Sequence, residues 1–203
     1  MELLTYLRTH MRQKQSSFFN THAKSYGGIL LNTRKGRSTA RPLDTKNTMH
    51  LVLRSTKATG EWSFKRSKNE LKIRHIIQKF SLRFGVQLHS LAVVGNHLHM
   101  HFKLTNRYTY RPFIRAVTAS IAMAITGMSR WNKIQQKANA TSSGSLKSFK
   151  FWDYRPFTRV VQSFRARLQL DDYIQINQLE NFGYSRISAR ELLGMNWYKQ
   201  NTS

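Results

Sequence analysis

The chain contains no cysteine. That excludes disulfides and every thiolate metal site, so any metal must be held by His, Asp, Glu, Asn or Gln. Carboxylates are scarce as well: nine Asp and Glu stand against 34 Lys and Arg. Asp171 and Asp172 are adjacent and the other acids are scattered. This weighs against a two-metal nuclease, whose ions need several converging carboxylates. No apolar run approaches the ~18 residues of a membrane span. At the N-terminus the apolar pair Leu3-Leu4 is too short for a signal-peptide core and is followed by Arg8 and Arg12. These absences lead to the expectation of a cytoplasmic protein with no membrane partner.

What is present is a folding composition with a large excess of positive charge. Hydrophobic residues make up 40% and aromatics 12% of 203 residues, enough for one domain with a real core and a short extension. The formal net charge is +25. Such a domain repels itself unless a polyanion is near. Nucleic acid is the usual polyanion, with an acidic membrane surface as its rival.

Residues 1–48 are basic and polar, with Gly27-Gly28 and the run Arg34-Lys35-Gly36-Arg37. They read as a loosely ordered basic arm, either a solvated tail or a phosphate-binding segment. Regular structure is expected from Met49. MHLVLRS (49–55) alternates as a strand. Ser67 and Glu70 have capping-box spacing at the start of a helix whose apolar face is Ile73, Ile76, Ile77, Phe80 and Phe84, with Gly85 as its stop. Residues 86–94 and 97–104 read as two strands joined by the turn Gly95-Asn96. A second helix spans about 111–126, a polar loop 128–148, and one strand or two short ones lie in 149–161 around Pro156. A third helix covers about 162–181, and Ser188 with Glu191 has the spacing to open a short last one. The domain is thus assigned to 49–185, with a short helix and tail in 186–203. The order of elements predicts an α+β sandwich, an antiparallel sheet covered by helices.

Side chains alternate faces along a strand, so His97, His99 and His101 share one face of the third strand and Leu98, Met100, Phe102 and Leu104 share the other. Imidazoles two residues apart can hold one divalent ion; otherwise this is a wet sheet face that carries histidines. On the third helix Tyr173 and Asn177 are four residues apart and lie on one face. A phenol there can attack phosphorus, with an amide oxygen beside it to complete a metal site; otherwise Tyr173 is a core or boundary residue.

Two stretches resemble a known family. GNHLHMHFKL (95–104) resembles the motif strand of the HUH nucleases, with His97-Leu98-His99 as the paired histidines and Asn96 before them. DDYIQINQ (171–178) resembles the tyrosine helix of the single-tyrosine transposases, above all the REP-associated tyrosine transposases of the IS200-like superfamily. KFWDYRPFTRVV (150–161) and MHLVLRS resemble strands of the same proteins. The resemblance covers roughly residues 40–185, in the expected order.

It implies the HUH form of a ferredoxin-like fold, with the histidines on a central strand and the tyrosine helix across them. It implies His97, His99 and Asn177 as ligands of Mg or Mn, and Tyr173 as the nucleophile. The chain has Gln178 where the REP-associated proteins usually have Pro, so Gln178 competes with Asn177 as third ligand; His101 is an extra imidazole that can tune the site. The implied partner is single-stranded DNA with hairpins, handled by a monomer or homodimer. Arg34, Lys35, Arg37, Arg41, Arg54, Arg165 and Arg167 are the candidate backbone contacts. Trp62, Trp131, Trp152 and the tyrosines either stack on bases or pack in the core. Three rivals stand beside this reading: an inactive nucleic-acid binder of the same fold, a nuclease acting through water, and a basic RNA-binding protein.

Overall fold

The computed structural model describes residues 25–28, 30, 41–128 and 150–194. Its elements run β1 (Ser25–Tyr26), β2 (Thr48–Arg54), α1 (Ser67–Arg83), β3 (Val86–Val94), β4 (His97–Leu104), α2 (Tyr110–Thr126), β5 (Phe157–Val161), α3 (Phe164–Asn181) and α4 (Arg186–Leu192). The five strands form one sheet in the order β1-β5-β2-β4-β3, and every pairing is antiparallel. This is the α+β architecture that the order of elements predicts. The histidine strand β4 lies inside the sheet, between β2 and β3.

Alternation on β2 and β4 decides which face is dry. Met49, Leu51 and Leu53 of β2 sit with Leu98, Met100 and Phe102 of β4, all buried, and α1 and α2 cover them with Ile73, Ile77, Phe113, Val117 and Ile121. Each such side chain contributes about 1.5–3 kcal/mol on burial. Trp62 and Trp152 pack against this core, and the Trp152 indole N–H donates to Thr118 O at 3.0 Å. Packing is thus the role of both; Trp131 lies outside the described residues.

The opposite face carries His97, His99 and His101 and is covered by α3. The apolar contact there is small: Ala92, Val161, Leu170 and Ile174. Hydrogen bonds do the rest. Val93 N donates to Gln178 Oε1 at 2.8 Å, Gly95 N to Asn181 Oδ1 at 3.3 Å, and Ser90 Oγ to Asp171 Oδ1 at 2.6 Å. The helix is thereby registered against β3 by polar side chains on its inward face.

Several local expectations change. Helix α1 starts at Ser67, but its N-cap is Arg66 and no side chain caps it; Glu70 instead pairs with Arg74 at 2.8 Å. Helix α4 starts three residues earlier than the Ser188 spacing implies, because Ser185 Oγ accepts from Ser188 N at 3.1 Å. A single strand, β5, follows Pro156. The basic arm is not wholly outside the sheet: Ser25 and Tyr26 pair with Arg159 and Thr158. Gly27 makes this possible. Its φ is +87°, and a Cβ there would lie 2.1 Å from Pro156 O, so only glycine lets the two backbones approach.

Candidate active site

Register brings the site together. Across β2 and β4, Arg54 lies opposite His97, Val52 opposite His99 and His50 opposite His101. Directly opposed residues in an antiparallel pair share a face, so the three β4 histidines share a face with His50 and Arg54. His99 is 5% exposed and His101 0%. This is not a wet face.

The His97 and His99 rings are 5.0 Å apart, centroid to centroid, and nearly perpendicular. His97 Nδ1 is 3.0 Å from Asn96 Oδ1. His99 Nδ1 is 3.1 Å from His50 Nε2, while its own Nε2 is buried without a hydrogen-bond partner. Burial, and then the neighbouring His97, lowers the His99 pKa to about 3. Burial, and then the Arg54 cation, lowers that of His97. His50 is held well below the ordinary value by burial first, then by His99, Arg159 and His101. All three rings are therefore neutral near pH 7, the form in which imidazole ligates a metal.

Tyr173 presents its ring to these imidazoles. Its centroid is 5.4 Å from that of His99 and 6.4 Å from that of His50, edge-on to both. At 38% exposure it is open to a substrate, unlike a core tyrosine. One turn later the Asn177 Nδ2 donates to Tyr173 O at 2.6 Å. Gln178 is held differently: Oε1 accepts from Val93 N and Nε2 donates to Glu70 at 3.1 Å. It ties α3 to the sheet and to α1.

Among the described residues no group of three His, Cys, Asp or Glu gathers around a cation position. The expected donor set is different in kind, two imidazoles and an amide. The orphaned Nε2 of a buried, neutral His99 beside His97 fits a divalent ion, since an unpaired buried lone pair is costly otherwise.

The third imidazole, whose Nε2 is likewise buried without a hydrogen-bond partner, is tied to a carboxylate through its other nitrogen. His101 Nδ1 donates to Asp171 Oδ1 at 2.6 Å, and the His89 ring lies 4.9 Å from its own. A bulge between Leu88 and Ser90 brings His89 alongside. Asp171 therefore joins β3, β4 and α3 two residues before Tyr173. We expect Asp171→Ala to lower stability by about 1–3 kcal/mol, because it strands the buried His101 N–H. Asp171→Asn, which keeps an acceptor, should lose less; urea unfolding of the two variants measures the difference.

The candidate cations divide. Arg54 is on the rim, 59% exposed, with Asp153 3.7 Å away. Arg165 and Arg167 are exposed on the first turns of α3. Arg41 turns inward: it donates to Pro156 O at 2.9 Å and Thr158 Oγ1 at 2.6 Å, and it stacks over Tyr26 and Tyr110. Its role is to hold β1 and β5 against α2. Arg34, Lys35 and Arg37 lie outside the described residues. Sequence reasoning misses His50 and Asp171. The available signal for His50 is one imidazole in the otherwise apolar alternation of β2, on the face shared with Arg54.

No protein-family model matches the chain, and no curated protein matches it significantly in sequence. Solved structures do match. One is a REP-associated tyrosine transposase bound to a REP hairpin, 13% identical, with a TM-score of 0.51 over 70% of this chain and 73% of that one. Another is a putative transposase from Deinococcus radiodurans R1, 17% identical, with a TM-score of 0.35 over 71% of this chain and 97% of that one; that overlap is too loose to carry weight. The chain shares the fold of the tyrosine transposase, which is also the group its motifs resemble. No helix among the described residues is long and apolar enough to cross a membrane.

Proposed function

We propose that this protein is a single-tyrosine HUH transposase that cleaves and rejoins single-stranded DNA beside hairpins. One observation carries the reading. Two motifs far apart in the chain meet, with Tyr173 edge-on to His99 at 5.4 Å and His97 at 5.0 Å from the same His99 ring.

His97, His99 and Asn177 would hold Mg or Mn, which when bound supplies polarisation of a phosphate oxygen and neutralises developing charge. The chain's own groups do the remainder. Tyr173 Oη gives up its proton and attacks phosphorus in line; the new phosphotyrosine bond forms as the P–O3′ bond breaks, and the departing 3′-oxygen takes up a proton to leave as the 3′-hydroxyl. The 5′-phosphate stays on the tyrosine, which conserves the bond for rejoining without ATP. The side chain needs little reorganisation, because α3 is fixed to β3 by Asp171 and Gln178 and to the turn after it by Asn181. Arg54, Arg165 and Arg167 are the proposed contacts to the DNA backbone, and Arg34, Lys35 and Arg37 can add to them from the arm.

The test is covalent trapping: incubation with hairpin-flanked single-stranded DNA and Mn should give an SDS-resistant adduct. Its absence with folded protein that binds the DNA would favour the inactive binder of the same fold. Binding itself should weaken steeply with salt. If about six phosphates are neutralised, log K should fall against log salt with a slope of about −4. Filter binding at several salt concentrations reads that slope, and a flat line would remove the backbone contacts from the account.

A further inference from the structure

We infer that His50 is the positioning residue for His99, accepting a hydrogen bond from its Nδ1–H and so holding Nε2 unprotonated and aimed at a cation. The inference rests on the reading of His99 as a metal ligand and extends it to a residue outside the motif.

The contact between His50 Nε2 and His99 Nδ1 is 3.1 Å. A hydrogen bond between the two rings needs the hydrogen on one nitrogen and a lone pair on the other, so two arrangements exist. If His50 donates, His99 must carry its hydrogen on Nε2. That atom is buried and without a partner, so the ring would bury an orphan donor and could not ligate through it. If His99 donates, Nε2 is a lone pair, and the orphan becomes a ligand atom. The second arrangement leaves no donor stranded on His99. It requires His50 to be the Nδ1–H tautomer.

The surroundings hold His50 for this task. It is 7% exposed. Its ring lies nearly parallel to His99, 12° between planes with centroids 5.4 Å apart, and meets the edges of Phe157 and Tyr173 at 6.2 and 6.4 Å. It reaches His99 diagonally across β2 and β4, since the directly opposite residue is His101. A ligating imidazole usually hands its second N–H to a carboxylate, carbonyl or water. Here a second imidazole fills that place, and the nearby carboxylate of Asp171 is engaged with His101.

The experiment uses the full chain and Mn²⁺ alone. Calorimetry of His50→Leu, which keeps bulk but offers no acceptor, should show Mn²⁺ binding weakened about 10–100-fold. His50→Gln, whose amide oxygen can accept, should recover most of the affinity. In parallel, ¹⁵N shifts of the histidine rings in the metal-free wild type should show both His50 and His99 as Nδ1–H tautomers. Wild-type affinity in folded His50→Leu, or a His99 found with its hydrogen on Nε2, overturns the inference. If His50→Leu fails to fold, the tautomers decide. Failure of the underlying reading looks different: the wild type itself would bind no Mn²⁺, or His99→Ala would bind it unchanged, and both conclusions would then fall. Loss of binding in His99→Ala with none in His50→Leu leaves the ligand assignment standing and removes His50 alone.

Discussion

Tyr173→Phe is expected to bind hairpin DNA and Mn²⁺ like the wild type and to form no covalent adduct. The substitution removes one oxygen and keeps the ring that meets His99 and His50 edge-on. Tyr173 is 38% exposed, and loss of its hydroxyl should leave stability within about 0.5 kcal/mol, as for most surface changes. Chemistry should respond differently. Nucleophilic catalysis divides the reaction at a covalent intermediate, and without the nucleophile neither half proceeds. Adduct and strand transfer should both fall below detection, a loss of at least about 10³-fold by analogy with other nucleophile deletions. Mass spectrometry of the trapped wild-type adduct should locate the nucleotide on Tyr173. Cleavage by Tyr173→Phe at the wild-type rate would make water or another tyrosine the nucleophile.

The strands and helices that bring Tyr173 to the histidines are largely legible in the sequence. The period-two alternation of HLHMHFKL puts the histidines on one face, and the register with β2 and β3 bears this out. Strand β4 runs over His97–Leu104 as the alternation predicts, and α2 begins one residue before its expected start. Legibility fails where the organising force is not hydrophobic periodicity. Helix α3 turns Asp171, Gln178 and Asn181 inward beside Leu170 and Ile174, so its buried side looks polar in the sequence. Gln178 competes with Asn177 as a ligand in the sequence because it stands where the resembled family has Pro, and its bond to Val93 N gives it a packing role instead.

Long-range hydrogen bonds are equally hidden. His50 and His99 come together through strand pairing, a relation that no local spacing encodes. Arg41 reads as one more cation in a basic arm, yet two aromatic rings and two oxygens surround its guanidinium, and desolvation lowers its pKa. The two-residue strand β1 carries no pattern long enough to detect. The spacing of serine and acid at Ser67 and Ser188 locates helices but misplaces their caps, because N-capping depends on the backbone conformation of one residue.

The largest effect on metal chemistry is expected at His99. His99→Ala should abolish Mn²⁺ binding and metal-dependent cleavage together, and His97→Ala should do the same. With one imidazole and one amide remaining, a divalent ion keeps its water in preference to the protein, and affinity should drop by at least about 10-fold and up to loss of detection. Folding should survive. Both side chains lie on the face away from Leu98, Met100 and Phe102, so the main core gains no cavity. His99→Ala also removes a neutral ring whose pKa is lowered to about 3 by burial. In the metal-free wild type the unfolded chain takes a proton at this ring below about pH 6.5 and the folded chain does not until about pH 3, so stability is lost as pH falls through that window. The variant should lose less of its stability between about pH 7 and pH 4 than the wild type does. His101→Ala gives the contrast: its ring is bonded to Asp171, so Mn²⁺ affinity should persist while stability declines. Calorimetry with Mn²⁺ on the three variants separates ligand from scaffold, and unchanged affinity in either His97→Ala or His99→Ala strikes that residue from the ligand set.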